Sequence, residues 1–310
     1  MFTNKELRTL INLKILDMIM DDKESLSDRP PTPTEEDCCG NSCNPCIFDI
    51  HKKLIDQWDD NKKSNSKIKS KNLLVPTLYK TFKVIKINEI NDDYLTIILH
   101  YEDDSHSCIF LNPGQHVIIN LLTWSKPFTP ITWNNNNIEF LVRVYPNSTF
   151  TNKLKNLQVG DQVKIRGPYG EFLYFQNSFK KIIMYCIGSG IAAFYPIIQS
   201  IVNNDLEETR IKLFAGFRSV CQIPLKQRLQ LLADYWNVEF TIHVTEVEEI
   251  TTIHNIQIKK EKINENNYKA VLQKESSEST LVLICGNEEF NEALSQWTQE
   301  CNHINYYVFK

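Results

Sequence analysis

No run in the 310 residues is long and apolar enough to read as a membrane span. The best candidate, Leu7 to Met20, is interrupted by Arg8, Lys14 and Asp17, whereas a span needs roughly 18 apolar residues in succession. Positive charge is not in excess either. Lysine and arginine number 34 against 38 acidic side chains, a formal charge of -4, which excludes the broad basic field that holds nucleic acid. The first residues lack the small-residue cleavage pattern of a secretory signal and carry Glu6 and Asp17, which transit peptides avoid; Phe2 stands where N-myristoylation requires glycine. A disulfide framework is also missing. The nine cysteines are odd in number, and Cys108, Cys186, Cys221, Cys285 and Cys301 are scattered, mostly in apolar runs, where thiols pack as small hydrophobes. The expectation is an intracellular protein of a reducing compartment, cytoplasmic or on an organelle surface, with mitochondria left open. What is present, 42% hydrophobic and 23% charged residues, supports two packed domains of roughly 100–200 residues each.

Along the chain the texture changes several times. Leu7, Leu10, Ile11, Ile15, Met18 and Ile19 recur at helical spacing, predicting a helix within residues 1–27 that either docks on the body or lies on a membrane surface. Pro30, Pro31 and Pro33 then hold the chain extended. Ile47, Ile50, Leu54, Ile55 and Trp58 share one helical face, and Asp59 to Asn72 is almost wholly polar, the pattern of a solvated linker. From Leu73 to about Tyr174 the apolar period becomes two, in Tyr94–Leu99, His116–Leu121, Ile138–Tyr145 and Gln162–Ile165. The breaks between them are Asn112-Pro113-Gly114, Asn134–Asn137 and Gly160-Asp161. Short strands in succession without helices predict a small antiparallel barrel. Past Asn177, strands apolar on both faces (Lys181–Ile187, Ile211–Phe217, Val238–Val244, Leu281–Cys285) alternate with helical stretches to Val202, over about Leu225–Tyr235 and over about Glu289–Cys301. That alternation predicts a parallel sheet covered on both sides.

The chemistry begins at Gly188-Ser189-Gly190, where a strand ends and a helix starts. Glycines let the backbone approach a pyrophosphate, and the helix start favours negative charge. The full G-x-G-x-x-G fingerprint is absent, since position 193 is alanine; Pro196 suits a first helical turn. Arg143 and Tyr145 alternate with Val142 and Val144, so a cation and an aromatic share one face of a strand. After the second strand of the sheet, where an acid reads the 2'-hydroxyl of NADH and a base the phosphate of NADPH, stand Arg218 and Ser219 and no acid. Cys38, Cys39, Cys43 and Cys46 lie within nine residues, and Cys43 to Cys46 has C-x-x-C spacing without a second such pair. Zinc, an iron–sulfur centre, a redox or disulfide pair, and a compact packing knot all fit that spacing.

Four segments in order, Lys126-Pro127-Phe128-Thr129-Pro130, Leu141-Val142-Arg143-Val144-Tyr145, Gly167-Pro168-Tyr169-Gly170 and Cys285-Gly286, resemble the ferredoxin-NADP reductase superfamily, and within it the NADH-cytochrome b5 reductases and their reductase-like subgroup. The resemblance covers about residues 76–310. It implies a multi-domain chain: an antiparallel β-barrel FAD domain (76–178), then an α/β parallel-sheet NAD(P)-binding domain (179–310). A linker at 61–75 would join these to a Cys-rich module at 28–60, which is similar to the "oxidoreductase-like" module of some reductases. By resemblance FAD is held by Lys126, Pro127, Phe128, Thr129, Val142, Arg143, Tyr145, Phe150, Thr151 and Asn152. Lys126 would meet the pyrophosphate as a point cation in place of an arginine fork, and Phe128 lacks a phenol hydroxyl. The pyridine nucleotide falls to Gly188, Ser189, Gly190, Arg218 and Gly286, with Thr129, Arg143 and Cys285 at the hydride transfer. The implied activity is oxidation of NADH, with NADPH open because of Arg218, and delivery of single electrons to a haem acceptor such as cytochrome b5. The other reading is a catalytically degenerate flavin fold serving as a metal-binding or interaction module.

Overall fold

The computed structural model describes residues 30–37, 46–61, 72–102, 107–246 and 252–309. The expected helix at 1–27 lies outside the described residues, as do Cys38, Cys39 and Cys43. Thr34 closes a single 3-10 turn at Glu35–Asp37: its amide and its hydroxyl both donate to the Asp37 carboxylate, and its carbonyl accepts from the Asp37 amide. Helix α1 spans Ile47–Asn61. Asp49 accepts from the Cys46 amide, satisfying one of the donors a helix start leaves free. The helix thus runs beyond Trp58 into the segment expected to be linker. At the other end of that segment, Leu73 and Leu74 belong to the barrel's apolar core, and the Leu73 amide donates to the Cys108 carbonyl.

The first half is a seven-stranded antiparallel sheet built from β1 (Lys80–Asn91), β2 (Tyr94–His100), β3 (His116–Leu121), β4 (Trp124–Phe128), β5 (Pro130–Trp133), β6 (Asn137–Arg143) and β7 (Gln162–Tyr169). Its order is β4-β3-β7-β1-β2-β6-β5. The two edge strands follow one another through Thr129, so the sheet must curl until its edges approach. Helix α2 (Thr149–Lys155) closes the curl by burying Phe150 and Leu154 in the barrel core. It starts where Ser148 accepts from the Thr151 amide, an ordinary N-cap.

The second half is a six-stranded, wholly parallel sheet, order β11-β10-β9-β8-β12-β13. Its elements are β8 (Lys181–Ile187), α3 (Ile191–Val202), β9 (Arg210–Phe217), α4 (Lys226–Ala233), β10 (Val238–Val244), β11 (Ile256–Lys259), α5 (Glu265–Leu272), β12 (Thr280–Cys285), α6 (Glu288–Glu300) and β13 (Tyr306–Phe309). β11, α5 and β13 were not legible as such: two are four-residue strands, too short to show a period. Pro196 does not stand in a first turn. A 3-10 turn at Gly188–Gly190 precedes α3, which begins at Ile191, and Pro196 lies inside that helix, where its missing N–H leaves the Ala192 carbonyl without its usual donor. Among the described residues no helix is long and apolar enough to cross a membrane.

The halves share one core. Tyr94, Ile131, Leu141 and Phe172 of the barrel side cluster with Ile191, Phe194, Ile198 and Leu229 of the sheet side. Gly114, at φ +90° in the Asn112-Pro113-Gly114 turn, is pressed against Phe309 and Phe172; a Cβ there would meet Phe309 at 2.9 Å. The turn therefore uses glycine both for its backbone conformation and to seat the last strand against the barrel.

Candidate active site

Strand order reverses beside β8: β9 lies on one side and β12 on the other. Loops leaving the carboxyl ends of such neighbours diverge and open a crevice. The structure has a cavity of about 510 Å³ there, lined by Ile187 at the end of β8 and Gly188 after it, Gly216 and Phe217 at the end of β9 and Arg218 after it, His243 of β10 and Glu246 beyond it, and Asn287, Glu289 and Phe290 after β12. The barrel supplies its fourth wall with Asp93, Tyr94 and Arg143.

The backbone at the crevice floor tolerates no side chains. A Cβ on Gly190 would lie 2.3 Å from the Cys285 carbonyl oxygen, and one on Gly188 would lie 2.9 Å from an Arg143 guanidinium nitrogen and 3.2 Å from the Tyr94 hydroxyl. Gly286 is pinned between Ile187 and Phe290. These are cradle positions of the kind a dinucleotide needs, and the residues present fit one. Arg143 lies over the rings of both Tyr94 and Tyr145, at 5.8 and 5.0 Å, an arrangement that holds the guanidinium at the seam between barrel and sheet. Burial pushes the Tyr94 hydroxyl up to about 12 against the opposing pull of Arg143, and burial pushes the Cys285 thiol up to about 12. Both stay protonated at neutral pH, so Cys285 offers a neutral, polarisable wall and no nucleophile. Burial also lowers His243, whose Nδ1–H donates to the Glu261 carbonyl; the imidazole is neutral.

Asn287, Glu288 and Glu289 follow Cys285-Gly286. Asn287 caps α6 by accepting from the Phe290 amide, and both glutamates are exposed in its first turn, where the helix dipole favours acids. Glu288 does not line the crevice, whereas Glu289 also borders it.

The predicted flavin residues fall in two places. Lys126 and Pro127 are exposed on the edge strand β4, and Thr129 is half-buried at the corner between β4 and β5. Phe128 is half-buried with its ring stacked on Phe150 at 5.8 Å and edge-on to Phe140. Thr151 accepts from the Tyr145 amide, and Asn152 donates to the Tyr145 and Pro146 carbonyls, so both side chains brace the turn that carries Tyr145. Val142 is buried in the barrel core and does not reach the crevice. Of the predicted set, Arg143, Gly188 and Arg218 line the cavity, Gly190, Cys285 and Gly286 shape its floor from behind, and Ser189 lies in the 3-10 turn between Gly188 and Gly190 without lining it. Exposed Lys126, the Thr129 corner and exposed Tyr145 leave an open, cationic and aromatic margin on the barrel that fits a flavin nucleotide.

Sequence reasoning missed Tyr94, Gln222, His243, Glu246 and Lys262, all on the cavity wall. Glu246 is the informative omission. Thr245 and Glu246 both donate from their amides to the Arg218 carbonyl, and the Glu246 carboxylate stands 3.6 Å from the Arg218 side chain. The acid absent after β9 is supplied after β10, whose end lies beside it in the parallel sheet. Only strand adjacency could have shown it.

As for metal, Cys46 is a free, half-buried thiol, and among the described residues no group of three or more His, Cys, Asp or Glu side chains could hold an ion. Its three predicted co-ligands lie outside the described residues.

An antiparallel barrel joined at a glycine-floored crevice to a parallel sheet is the architecture of pyridine-nucleotide-dependent flavoprotein oxidoreductases. Family models agree in each part: "Oxidoreductase FAD-binding domain" matches residues 81–174, "Oxidoreductase NAD-binding domain" residues 184–296, and "Oxidoreductase-like protein, N-terminal" residues 25–67. The chain is 30% identical over 224 residues to the human protein named NADH-cytochrome b5 reductase-like, covering 68% of this chain and 70% of that one. It is 27% identical over 228 residues to the mouse protein of that name, covering 68% and 72%. The crystal structure of the cytochrome b5 reductase domain of Ulva prolifera nitrate reductase has the same fold, with a TM-score of 0.67 at 21% identity, covering 77% of this chain and 100% of that one. The chain belongs to the NADH-cytochrome b5 reductase-like family.

Proposed function

We propose that this protein is an NADH-dependent flavoprotein reductase that takes a hydride from the nicotinamide and passes electrons singly to a haem protein such as cytochrome b5. The observation that carries the reading is Arg143, a barrel residue that reaches over Gly188 of the sheet and forms part of the crevice wall. A ligand on the barrel margin and a ligand in the crevice would therefore meet at this one side chain. FAD, when bound, supplies the two-electron acceptor that can release electrons one at a time. The chain's own residues do the rest. Lys126 attracts phosphate, Thr129 and Tyr145 border the flavin, and Arg143 favours negative charge where it accumulates on reduction. Gly188 and Gly190 let the dinucleotide backbone approach, and neutral Cys285 excludes water beside the nicotinamide. Glu246 accepts from the ribose hydroxyls and holds the Arg218 cation, which favours NADH over NADPH. The cysteine segment around Cys38 to Cys46 is a unit apart from the hydride chemistry, its spacing fitting zinc, an iron–sulfur centre, a redox pair or a packing knot alike.

The test is direct. Purified protein should carry a flavin spectrum or acquire one on addition of FAD, bleach with NADH under anaerobic conditions, and reduce cytochrome b5. Protein that shows no flavin absorption and takes up none ends the reductase reading.

A further inference from the structure

We propose that Glu139 and Arg228 form a latch that fixes the barrel on the nucleotide-binding sheet, and that Glu139 is a positioning residue for transfer between the two ligand sites. The inference rests on the reading of those sites given above.

Strand β6 presents two faces. Ile138, Phe140 and Val142 point into the barrel core, while Leu141 packs in the cluster shared with the sheet half. Alternation puts Glu139, Leu141 and Arg143 together on that outer face. Each of the three meets the other half of the molecule. Arg143 reaches Gly188 at the crevice. Leu141, 3% exposed, lies in the core with Ile191 and Phe194 of α3. Glu139, 6% exposed, receives both terminal nitrogens of Arg228 on α4, at 2.8 and 2.7 Å, and the Thr132 hydroxyl of β5 donates to it at 2.9 Å. Arg228 also stands close enough to Tyr195 of α3 to interact with its hydroxyl. A single strand thus carries the latch at one end and the crevice arginine at the other, four residues or about 13 Å apart at roughly 3.3 Å per residue.

The contacts between the two halves differ in what they can fix. The Leu141 contact is apolar and non-directional, and it tolerates sliding or rotation of one half on the other. The polar contacts near the crevice, Asn91 to the Cys221 carbonyl and Gln222 to Asp93, are single hydrogen bonds of 3.2 and 3.0 Å. Among the described residues the Glu139–Arg228 fork is the one bidentate, charged contact between the halves, so it sets an angle as well as a distance. Arg228 opens α4 immediately after the loop that carries Arg218 and Gln222, which ties the nucleotide loop to the same anchor. Transfer between two stacked rings depends steeply on their separation, and a small rotation about the latch displaces Arg143 relative to Gly188.

The experiment replaces both charges together, because removing one alone strands the other in a buried site. In the full-length Glu139→Gln/Arg228→Gln variant, dissociation constants for FAD and for NAD+ should stay within about threefold of wild type. Flavin reduction by NADH, followed in single turnover, should slow at least tenfold. In protein stripped of both ligands, amide exchange should rise at Thr132, Leu141 and the first turn of α4. The charge swap Glu139→Arg/Arg228→Glu should recover part of the lost rate, and Thr132→Val, which leaves both charges paired and serves if the charge variants do not fold, should cost two- to threefold. An unchanged single-turnover rate in a variant with raised exchange overturns the positioning role, and unchanged exchange overturns the latch itself. Equal losses in ligand binding and rate also overturn it, as those of a merely structural residue. Because the exchange arm uses ligand-free protein, it reports on the latch even if the flavin reading fails.

Discussion

Gly190 and the carbonyl of Cys285 are packed so closely that a methyl group on Gly190 would stand 2.3 Å from the oxygen. The contact joins the starts of the two loops that diverge from β8 and β12, so the crevice exists because the residue is glycine. Gly190→Ala must push two backbone segments apart, and overpacking of this kind costs about 1–3 kcal/mol or more. The melting temperature should fall by roughly 5 °C, with NAD+ binding lost in the protein that remains folded. Calorimetry with and without NAD+ checks both.

Coenzyme choice turns on Arg218 and Glu246. Their 3.6 Å pair is more than half exposed on both sides and adds little to stability, so either can be changed without unfolding the sheet. Glu246→Gln removes the carboxylate from the ribose site and frees Arg218 for a 2'-phosphate; the ratio of kcat/KM for NADH over NADPH should fall about tenfold or more, the scale of one charged hydrogen bond. Arg218→Ala should raise KM for NADPH while leaving that for NADH nearly alone. Equal effects of Arg218→Ala on both coenzymes would remove it from that role.

At the flavin margin, Phe128 keeps its ring against Phe150 and Phe140 while remaining half-exposed. Phe128→Tyr preserves the stacking and adds a hydroxyl that a bound flavin can use. Loss of flavin on dilution should slow several-fold, as measured by the return of free-FAD fluorescence. A faster loss would mean that the ring edge faces protein at this position.

Two histidines make folding sensitive to acid. Burial lowers His116, stacked on Tyr169, and lowers His243 at the crevice. Below the ordinary histidine value of about 6.5, the unfolded chain takes up protons that the folded protein refuses, so stability falls with falling pH until the lower folded-state values are reached. The melting temperature should drop between pH 7 and pH 5.5. In His116→Gln the drop should be shallower, and an identical slope would assign the loss to other groups.

The cysteine segment should be separable from the hydride chemistry, provided the cut respects the barrel. Asn72 accepts from the amides of Leu74 and Phe110, and Leu73 and Leu74 are buried. A chain beginning at Lys71 should bind FAD and reduce ferricyanide with NADH, and should lack whatever metal the full-length protein carries by elemental analysis. A chain beginning at Pro76 loses two buried leucines, each worth roughly 2–5 kcal/mol, and should express poorly. If the Lys71 chain folds but cannot reduce its flavin, the cysteine segment belongs to the catalytic unit.

Sequence alone determined the order of a period-two barrel and a parallel sheet apolar on both faces, because local alternation reports which sides of a strand are covered. It also marked Gly188-Ser189-Gly190, Arg143 and Cys285, because strand ends and glycines are visible where they occur. Tertiary structure decided what stands next to what. Glu246 reaches Arg218 because β10 lies beside β9; Leu73 leaves the linker because its amide pairs with the Cys108 carbonyl, and Leu74 because it is buried in the barrel core; Pro196 falls inside a helix that already begins at Ile191. Glu139 reads in the sequence as one more polar residue on an alternating strand, and its burial follows from Arg228, 89 positions later. Contacts over such distances depend on how two sheets are set against each other, and no local pattern of hydrophobicity encodes that angle.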